Sequence, residues 1–242
     1  MIAVAFALPA ESQEFLRSLG NKSRGDRDGI PTIRGKIGDR AVEVLHTGVG
    51  EKACRHHIGK FLSASGRIPR GEQDQQIDSL ISAGFAGALN DVLQIGDLLL
   101  AKNFSTVDLG QRWSSLSTSP IHLADMLTVT ALIDSGEERM KLARASGASA
   151  VDMETEFIAR ACATRGIPLL SLRVISDTPH HLFPAPANVL FDIERQQTHM
   201  LKLATHLLAH PGRVPRLVQF ARRIAHARKI LASALLEIVP AL

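Results

Sequence analysis

Cysteine is scarce in this chain, and the few cysteines lie far apart. Cys54 and Cys162 are the only two among 242 residues. So low a number argues against a disulfide framework and is typical of proteins in a reducing compartment. It also excludes a zinc site built from cysteine ligands. We therefore expect a cytoplasmic protein.

Long apolar runs are also missing. No stretch reaches the about 18 consecutive apolar residues that indicate a membrane-spanning helix. The first residues, MIAVAFALPAE, lack the basic region and cleavage site of a secretory signal, and we interpret them as a buried strand. The sequence contains neither an internal repeat nor a low-complexity segment. These observations favour one globular domain with an ordinary core.

Recognisable metal and nucleotide motifs are absent. The chain has no H-E-x-x-H motif, and the adjacent histidines at 56–57 point in different directions on a helix, so we expect no metal site. Gly48 with Gly50, and Gly84 with Gly87, match neither G-x-x-x-x-G-K-[ST] nor G-x-G-x-x-G. These glycines permit close approach of a ligand to the backbone, but each one alone is typical of a turn. No cofactor is predicted.

Strands that alternate with helices predict an α/β domain in layers, with a largely parallel sheet. The predicted strands are 2–8, 32–37, 41–46, 79–83, 96–102, 127–133, 148–152 and 169–175. The predicted helices are 11–19, 51–63, 137–145 and 154–165. Residues 66–78 are predicted to form an exposed linker, and 103–125 a surface loop.

Acidic, serine and glycine residues follow the predicted strands. In a parallel sheet, ligands bind beyond the carboxyl ends of the strands, so these residues mark a candidate site. They are Glu11, Gly48, Gly84, Ser135, Glu154 and Asp177. Taken alone, Glu154 is equally well explained as an acid at a helix N-terminus, and Asp177 as a helix cap or turn residue.

Arg173 interrupts the apolar strand at 169–175. A buried charge needs a partner, and Glu11 or Glu154 at a strand end is the simplest choice. The alternative is an edge strand whose arginine faces solvent.

Five stretches of sequence resemble the nucleoside phosphorylase and nucleosidase superfamily, in particular the 5′-methylthioadenosine/S-adenosylhomocysteine nucleosidases. They span about residues 1–180. They are FALPAE at 6–11, TGVG at 47–50, SAGFAG at 82–87 followed by IGD at 95–97, AVDME at 150–154 and RVISD at 173–177. A closer resemblance, to the phosphorylase-like proteins of hopanoid biosynthesis, rests on 173–179, FPAP at 183–186, HPGRVP at 210–215 and the basic helix that follows.

The resemblance implies a three-layer α/β/α fold with a central mixed, largely parallel sheet, and cleavage of an N-ribosidic bond. Asp177 is then the general acid that protonates purine N7, and Glu154 binds the ribose hydroxyls and stabilises positive charge on the sugar. Glu11 positions or deprotonates a water molecule, and Arg173 orients the nucleophile or the carboxylates. The implied substrate contacts are Met153, Phe85, Ala86, Gly87, Gly48, Ser135, Gly136 and Ser176. The resemblance also implies a homodimer.

Some positions depart from the family pattern. Phe85 stands where many relatives have a small hydroxyl residue, and Glu137–Glu138 replaces an apolar or aromatic pair. The segment 104–127 is shorter than in the nucleosidases. The 5′ group of the substrate and the nucleophile therefore stay open. We favour hydrolysis, because Glu11 with Arg173 resembles the water-activating pair. Phosphorolysis, with inorganic phosphate as co-substrate, is the alternative, with Arg173, Arg55 and the amides of 48–50 as anion ligands. A non-catalytic nucleoside-binding or membrane-associated module is the third hypothesis.

The basic residues concentrate in one segment near the end of the chain. The chain has 28 Lys and Arg against 24 Asp and Glu, yet Arg213–Lys229 holds six basic residues and no acid. We divide the chain into a catalytic domain, 1–209, and a basic amphipathic helical extension, 210–242. The helix is predicted to pack on the core or an oligomer interface, or alternatively to contact anionic lipid at the inner membrane. Nucleic acid is not an expected partner, because aromatic residues are not interleaved with the basic ones.

Overall fold

The computed structural model describes residues 1–63, 76–108, 121–182 and 214–242. The strands are β1 (Ile2–Phe6), β2 (Gly20–Arg27), β3 (Ile30–Ile37), β4 (Arg40–His46), β5 (Ser79–Ala88), β6 (Leu98–Ala101), β7 (Ile121–Ala124), β8 (Met126–Thr128), β9 (Ala150–Asp152) and β10 (Leu169–Asp177). The helices are α1 (Pro9–Ser18), α2 (Glu51–Ser63), α3 (Gly136–Ser146), α4 (Thr155–Ala163) and α5 (Val214–Ala241).

The strands form one mixed sheet with parallel strands at its centre. Their order is β2-β3-β4-β1-β5-β10-β6-β7, while β9 pairs with β5 and β8 pairs with β9. Strands β4, β1, β5 and β10 are parallel, so their carboxyl ends lie at one edge. The pairings of β3 with β4 and of β6 with β10 are antiparallel. The predicted mixed sheet is confirmed.

Alternate side chains of β1 face two separate cores. Val4 and Phe6 join a cluster that includes Phe15 of α1 and Leu235 of α5. Ala5, between them, joins the residues of α2 and α4 on the opposite face. Helices therefore cover both faces of the sheet, and the predicted three-layer α/β/α arrangement is confirmed.

Strand β5 is longer than the sequence predicts. The predicted end at residue 83 is wrong, because the strand continues to Ala88 and pairs with β10. In this register Gly84 lies opposite Arg173, and Gly87 lies opposite Asp177. The two glycines are thus strand residues at points of close approach and not turn residues.

Three further predictions differ from the structure. Strand β2 was not predicted, because its sequence GNKSRGDR is polar and largely exposed at the sheet edge. Strand β7 lies inside the predicted loop 103–125, and the predicted strand 127–133 is only the short β8. A hairpin turn at Asp28 and Gly29, both with positive φ, joins β2 to β3.

The second half of α5 packs on the core. Ala227, Leu231, Leu235 and Val239 are buried against the same face of the sheet as α1. In the first half, by contrast, Val218 is 44% exposed. No helix in the described ranges is both long and apolar enough to cross a membrane. Arg213, FPAP at 183–186, HPGR at 210–213 and the 209/210 boundary lie outside the described residues.

Candidate active site

A polar cavity lies at the carboxyl ends of the central strands. The space within it, counted together with the solvent at its mouth, is about 210 Å³, and its lining includes Glu11, Glu154, Arg173, Ser82 and Phe85. The sequence predicts that the first three of these come together, and the structure places them around this cavity. Asp177 and its neighbours form a second group, four residues further along β10.

Glu11 is held by backbone amides from two elements. Its Oε2 accepts a hydrogen bond from the amide of Leu8 at 3.0 Å, and its Oε1 accepts one from Phe85 at 3.1 Å. Burial raises the pKa of Glu11, while these two amides and the charge of Arg173 oppose the rise. A Cβ atom on Gly84 would lie 3.1 Å from Oε1, so the glycine makes room for the carboxylate.

Glu154 follows β9 and stands at the N-terminal end of α4. Its Oε1 accepts a hydrogen bond from the amide of Gly50 at 2.8 Å, which joins the start of α4 to the start of α2. Burial, helped by the charge of Asp152, raises the pKa of Glu154 to about 8. The amide of Gly48 donates to the carbonyl of Ala7 at 3.0 Å, and Gly48 does not line the cavity.

Arg173 forms its ion pair with Asp152, so the predicted partners Glu11 and Glu154 are wrong. Its Nη2 and Nε lie 3.0 and 3.2 Å from Oδ2 of Asp152. Its remaining donors reach Ser82, the carbonyl of Leu172 and the hydroxyl of Thr155. The edge-strand alternative is also wrong, because β10 lies between β5 and β6 and Arg173 is 3% exposed.

Asp152 was not predicted as a site residue, although it lies in the AVDME motif. It also accepts hydrogen bonds from the Thr128 hydroxyl at 2.8 Å and from the Thr155 amide. The antiparallel pairing of β9 with the end of β5 brings Asp152 to this position. The sequence gives no sign of that pairing, because β9 has only three residues.

Asp177 ends β10 and is 2% exposed. The Ser176 hydroxyl donates to its Oδ1 at 2.5 Å, and Nη2 of Arg139 lies 2.5 Å from its Oδ2. Burial raises the pKa of Asp177, while the charge of Arg139 and the Ser176 hydroxyl act in the opposite direction. A hydroxyl that donates a hydrogen bond and a nearby positive charge both favour the ionised form, against the effect of burial.

Arg139 is the main residue at this site that sequence reasoning missed. It lies on α3 and is 1% exposed. Nε and Nη2 donate to the carbonyl of Ile133 at 3.0 and 2.8 Å, and Nη1 donates to that of Ala88 at 3.3 Å. Its surroundings in sequence, GEERMK, are rich in charge, so no local signal distinguishes the buried Arg139 from the exposed Arg144 of the same helix.

The other predicted contact residues have mixed surroundings. Phe85 and Met153 are half-buried, and Phe85 borders the cavity. Ala86 lies in an apolar core cluster. Ser135 caps α3 by accepting a hydrogen bond from the amide of Glu138 at 3.3 Å. A Cβ atom on Gly136 would lie 2.7 Å from the carbonyl oxygen of Pro179, so this glycine lets α3 approach the segment after β10.

No group of three His, Cys, Asp or Glu side chains could hold a metal ion in the part of the chain that the structure describes. The two cysteines are buried, and burial raises the pKa of each thiol to about 12. Neither is therefore a reactive thiolate at neutral pH.

The sheet, its two helical layers and the cavity at the carboxyl ends of the strands define an α/β protein with the nucleoside phosphorylase fold. The chain belongs to the phosphorylase superfamily, whose sequence profile matches residues 1–129 and 120–209. No curated protein sequence matches it significantly.

Solved structures with the same fold include two types of nucleosidase. The 5′-methylthioadenosine/S-adenosylhomocysteine nucleosidase of Campylobacter jejuni is 17% identical, with a TM-score of 0.69 over 100% of this chain and 99% of that one. A futalosine hydrolase mutant of Helicobacter pylori is 17% identical, with a TM-score of 0.68 and the same coverage. A putative nucleosidase of the first type from Borrelia burgdorferi, bound to adenine, is 18% identical, with a TM-score of 0.69 and 100% coverage of both chains.

Proposed function

We propose that this protein is a nucleosidase that hydrolyses the N-ribosidic bond of a purine nucleoside and releases the free base. The observation that carries the proposal is a set of three buried carboxyl groups at one edge of the sheet, Glu11, Glu154 and Asp177. Burial raises the pKa of each, which suits groups that move protons near neutral pH. The adenine bound to the Borrelia burgdorferi neighbour supports a purine as the leaving base.

In the proposed reaction, Asp177 donates a proton to a ring nitrogen of the base while the C1′–N bond breaks. The electron pair of that bond stays with the base, which leaves as a neutral molecule, and the sugar becomes an oxocarbenium-like cation. Glu11 accepts a proton from a water molecule as the water oxygen bonds to C1′. Glu154, with a pKa of about 8, keeps a proton at neutral pH and both donates to and accepts from the ribose hydroxyls.

Water is favoured over phosphate because the predicted phosphate ligands already have partners within the protein. The donors of Arg173 are taken by Asp152, Ser82, Leu172 and Thr155. The amides of Gly48 and Gly50 donate to Ala7 and Glu154. Arg55 pairs with Glu51 at 2.7 Å on the exposed side of α2.

The test is an assay of purified protein with adenosine, inosine and 5′-methylthioadenosine, with and without inorganic phosphate. Free base is followed by chromatography, and Asp177→Asn serves as the inactive control. Release of base without phosphate supports the proposal. Release that depends strictly on phosphate contradicts hydrolysis, and no release from any nucleoside, lipid-linked ones included, favours a non-catalytic binding module.

A second candidate is phosphorolysis of an adenosyl-lipid, as the hopanoid-associated proteins imply. The exposed first half of α5 favours a lipid substrate. Its Arg216 and Arg222 face solvent beside the exposed Val218, an arrangement that suits contact with anionic lipid. We propose that this half contacts anionic lipid. Co-sedimentation with phosphatidylglycerol vesicles should fall for Arg216→Glu/Arg222→Glu but not for a matched pair of changes at the sheet edge, Lys22→Glu/Lys36→Glu. Equal binding by both variants would remove this candidate.

We also propose a cytoplasmic homodimer, as the family resemblance implies. Light scattering on the eluting protein gives its mass in solution directly. A mass of one chain at micromolar concentration would contradict the dimer.

A further inference from the structure

Asp177, the predicted acid, forms a buried ion pair with Arg139, a residue that the sequence analysis did not predict at the site. Both side chains are almost fully buried, at 1% and 3% exposure, and their charged atoms are 2.5 Å apart. A buried charge is costly unless it has a close partner and further hydrogen bonds. Arg139 has these partners, and they all lie around the end of β10.

The orientation of the guanidinium is fixed by backbone carbonyls. Nε and Nη2 donate to the carbonyl of Ile133 and Nη1 donates to that of Ala88, and in this orientation Nη2 lies 2.5 Å from Oδ2 of Asp177. The planar, rigid fork of an arginine makes this orientation specific, and a lysine could not reproduce it.

Gly87 makes room for the ion pair. A Cβ atom at this position would lie 2.8 Å from Nη1 of Arg139 and 2.9 Å from Oδ2 of Asp177. Real Cβ atoms essentially never make such short contacts, so any side chain here would push the pair apart. The absence of a side chain in β5 therefore serves the contact between α3 and β10.

We propose that Arg139 is a positioning residue for the acid. Its guanidinium holds Asp177 in place and balances the negative charge that Asp177 acquires when it gives its proton to the leaving base. This inference rests on the proposed function. In the reaction, the proton passes from Asp177 to a ring nitrogen, the C1′–N electron pair goes to the base, and the carboxylate that remains forms the ion pair with Arg139.

Few other groups act on the same carboxyl. Ser176, on β10 itself, donates to Oδ1, and Gly87 of β5 carries no charge. Arg139 of α3 is the only charged side chain of the described residues that contributes to the pKa of Asp177. Its removal therefore raises that pKa further, and the acid both holds its proton to higher pH and gives it up less readily.

The first experiment reads the resting protein and does not depend on catalysis. The carboxyl carbon of Asp177 is titrated by ¹³C NMR in the wild type, Arg139→Gln and Arg139→Lys, and Lys141→Gln on the exposed face of α3 is the control. We expect the midpoint to rise by about 1 to 3 pH units in Arg139→Gln, by less in Arg139→Lys and not at all in the control. In the wild type, the Arg139 guanidinium signals should titrate with the same midpoint as Asp177.

The second experiment follows kcat/KM for base release against pH. The reaction needs protonated Asp177, so the rate falls as pH rises through the pKa of this group. In Arg139→Gln this alkaline limb should move upward by the same interval as the NMR midpoint, and kcat at low pH should fall about tenfold or more with KM little changed. Arg139→Lys should recover part of both effects.

A purely structural role for Arg139 predicts other results. An unchanged Asp177 midpoint and an unchanged alkaline limb in Arg139→Gln would overturn the inference. If the variants do not fold, the wild type still provides a test. Arg139 guanidinium signals that do not change as Asp177 titrates would equally overturn the inference. Absence of base release by the wild type, with the NMR result as expected, would contradict the proposed function and leave the charge coupling established.

Discussion

Arg173 touches neither carboxylate of the cavity that it lines; it binds Asp152, with Nη2 3.0 Å from Oδ2. Its charge nevertheless lowers the pKa of Glu11 and Glu154 through space, against the larger effect of burial. Arg173 therefore influences the electrostatics of the cavity without a direct bond to the reacting groups. Asp152, which holds it in place, connects β9, α4 and β10.

The first prediction concerns this pair. Asp152→Asn leaves the buried guanidinium of Arg173 without its counter-charge, so the free energy of unfolding should fall by about 3 to 5 kcal/mol. Glu156→Gln breaks the exposed pair with Arg160 and should cost less than about 1 kcal/mol. Urea unfolding of both variants measures the difference. Similar losses in the two would show that the Asp152 pair contributes little to stability.

The second prediction concerns the acid. Asp177→Asn cannot supply a proton, so base release should fall by about 10² to 10⁴-fold, while circular dichroism shows an intact fold. Asp125→Asn, at a carboxylate with 51% exposure of its side chain, is the matched control and should keep full activity. Near-normal turnover in Asp177→Asn would assign the acid to another group.

The third prediction uses the pKa of Glu154, which burial raises to about 8 from an ordinary value of 4.5. Between these two pH values the unfolded chain releases a proton that the folded protein retains. The group therefore lowers stability as pH rises, by at most about 1.4 kcal/mol per pH unit. Glu154→Gln removes this dependence, so it should gain stability relative to the wild type from pH 5 to pH 8. If the free energy of unfolding changes with pH by the same amount in Glu154→Gln and in the wild type across that range, the raised pKa of Glu154 is contradicted.

The fourth prediction tests the space beside Glu11. Gly84→Ala places a methyl group 3.1 Å from Oε1 and shifts the carboxylate by a few tenths of an ångström. We expect kcat/KM to fall by about tenfold or more, because small displacements of a catalytic group are costly. Gly59→Ala, in α2, meets nothing within 4 Å and should leave activity unchanged. If both variants have wild-type activity, the position of Glu11 does not limit the reaction.

Much of the fold could be predicted from the sequence, because apolar runs and helical periodicity within short segments indicate individual strands and helices. The strand predicted at 2–8, the helix predicted at 51–63 and the strand predicted at 169–175 correspond to β1, α2 and β10, with the expected type and order. Glu11, Glu154 and Asp177 were selected because each follows a predicted strand. For Glu11 and Asp177, on the parallel strands β1 and β10 or directly after them, the shared edge followed from topology. Glu154 follows β9, which is antiparallel to β5, so its position did not follow from the same argument.

The partners of these residues could not be predicted, because they depend on contacts between distant segments. Arg139 reaches Asp177 from a helix that begins after a short irregular segment, and only its burial sets it apart from Arg144 on the same helix. Asp152 reaches Arg173 because β9 runs antiparallel to β5. Strand β2 has no apolar pattern at all and forms only because β3 offers a pairing edge.

The packing of α5 has a consequence for how the protein is made. Leu231, Leu235 and Val239 cover the same face of the sheet as α1, and Arg228 donates to Gln13 at 2.5 Å, two residues from Glu11. During synthesis, the part of this face that α1 does not cover therefore stays exposed until α5 has left the ribosome. The helix that carries Glu11 makes its contact with Arg228 only then, so the nascent chain depends on protection of that surface until α5 is made.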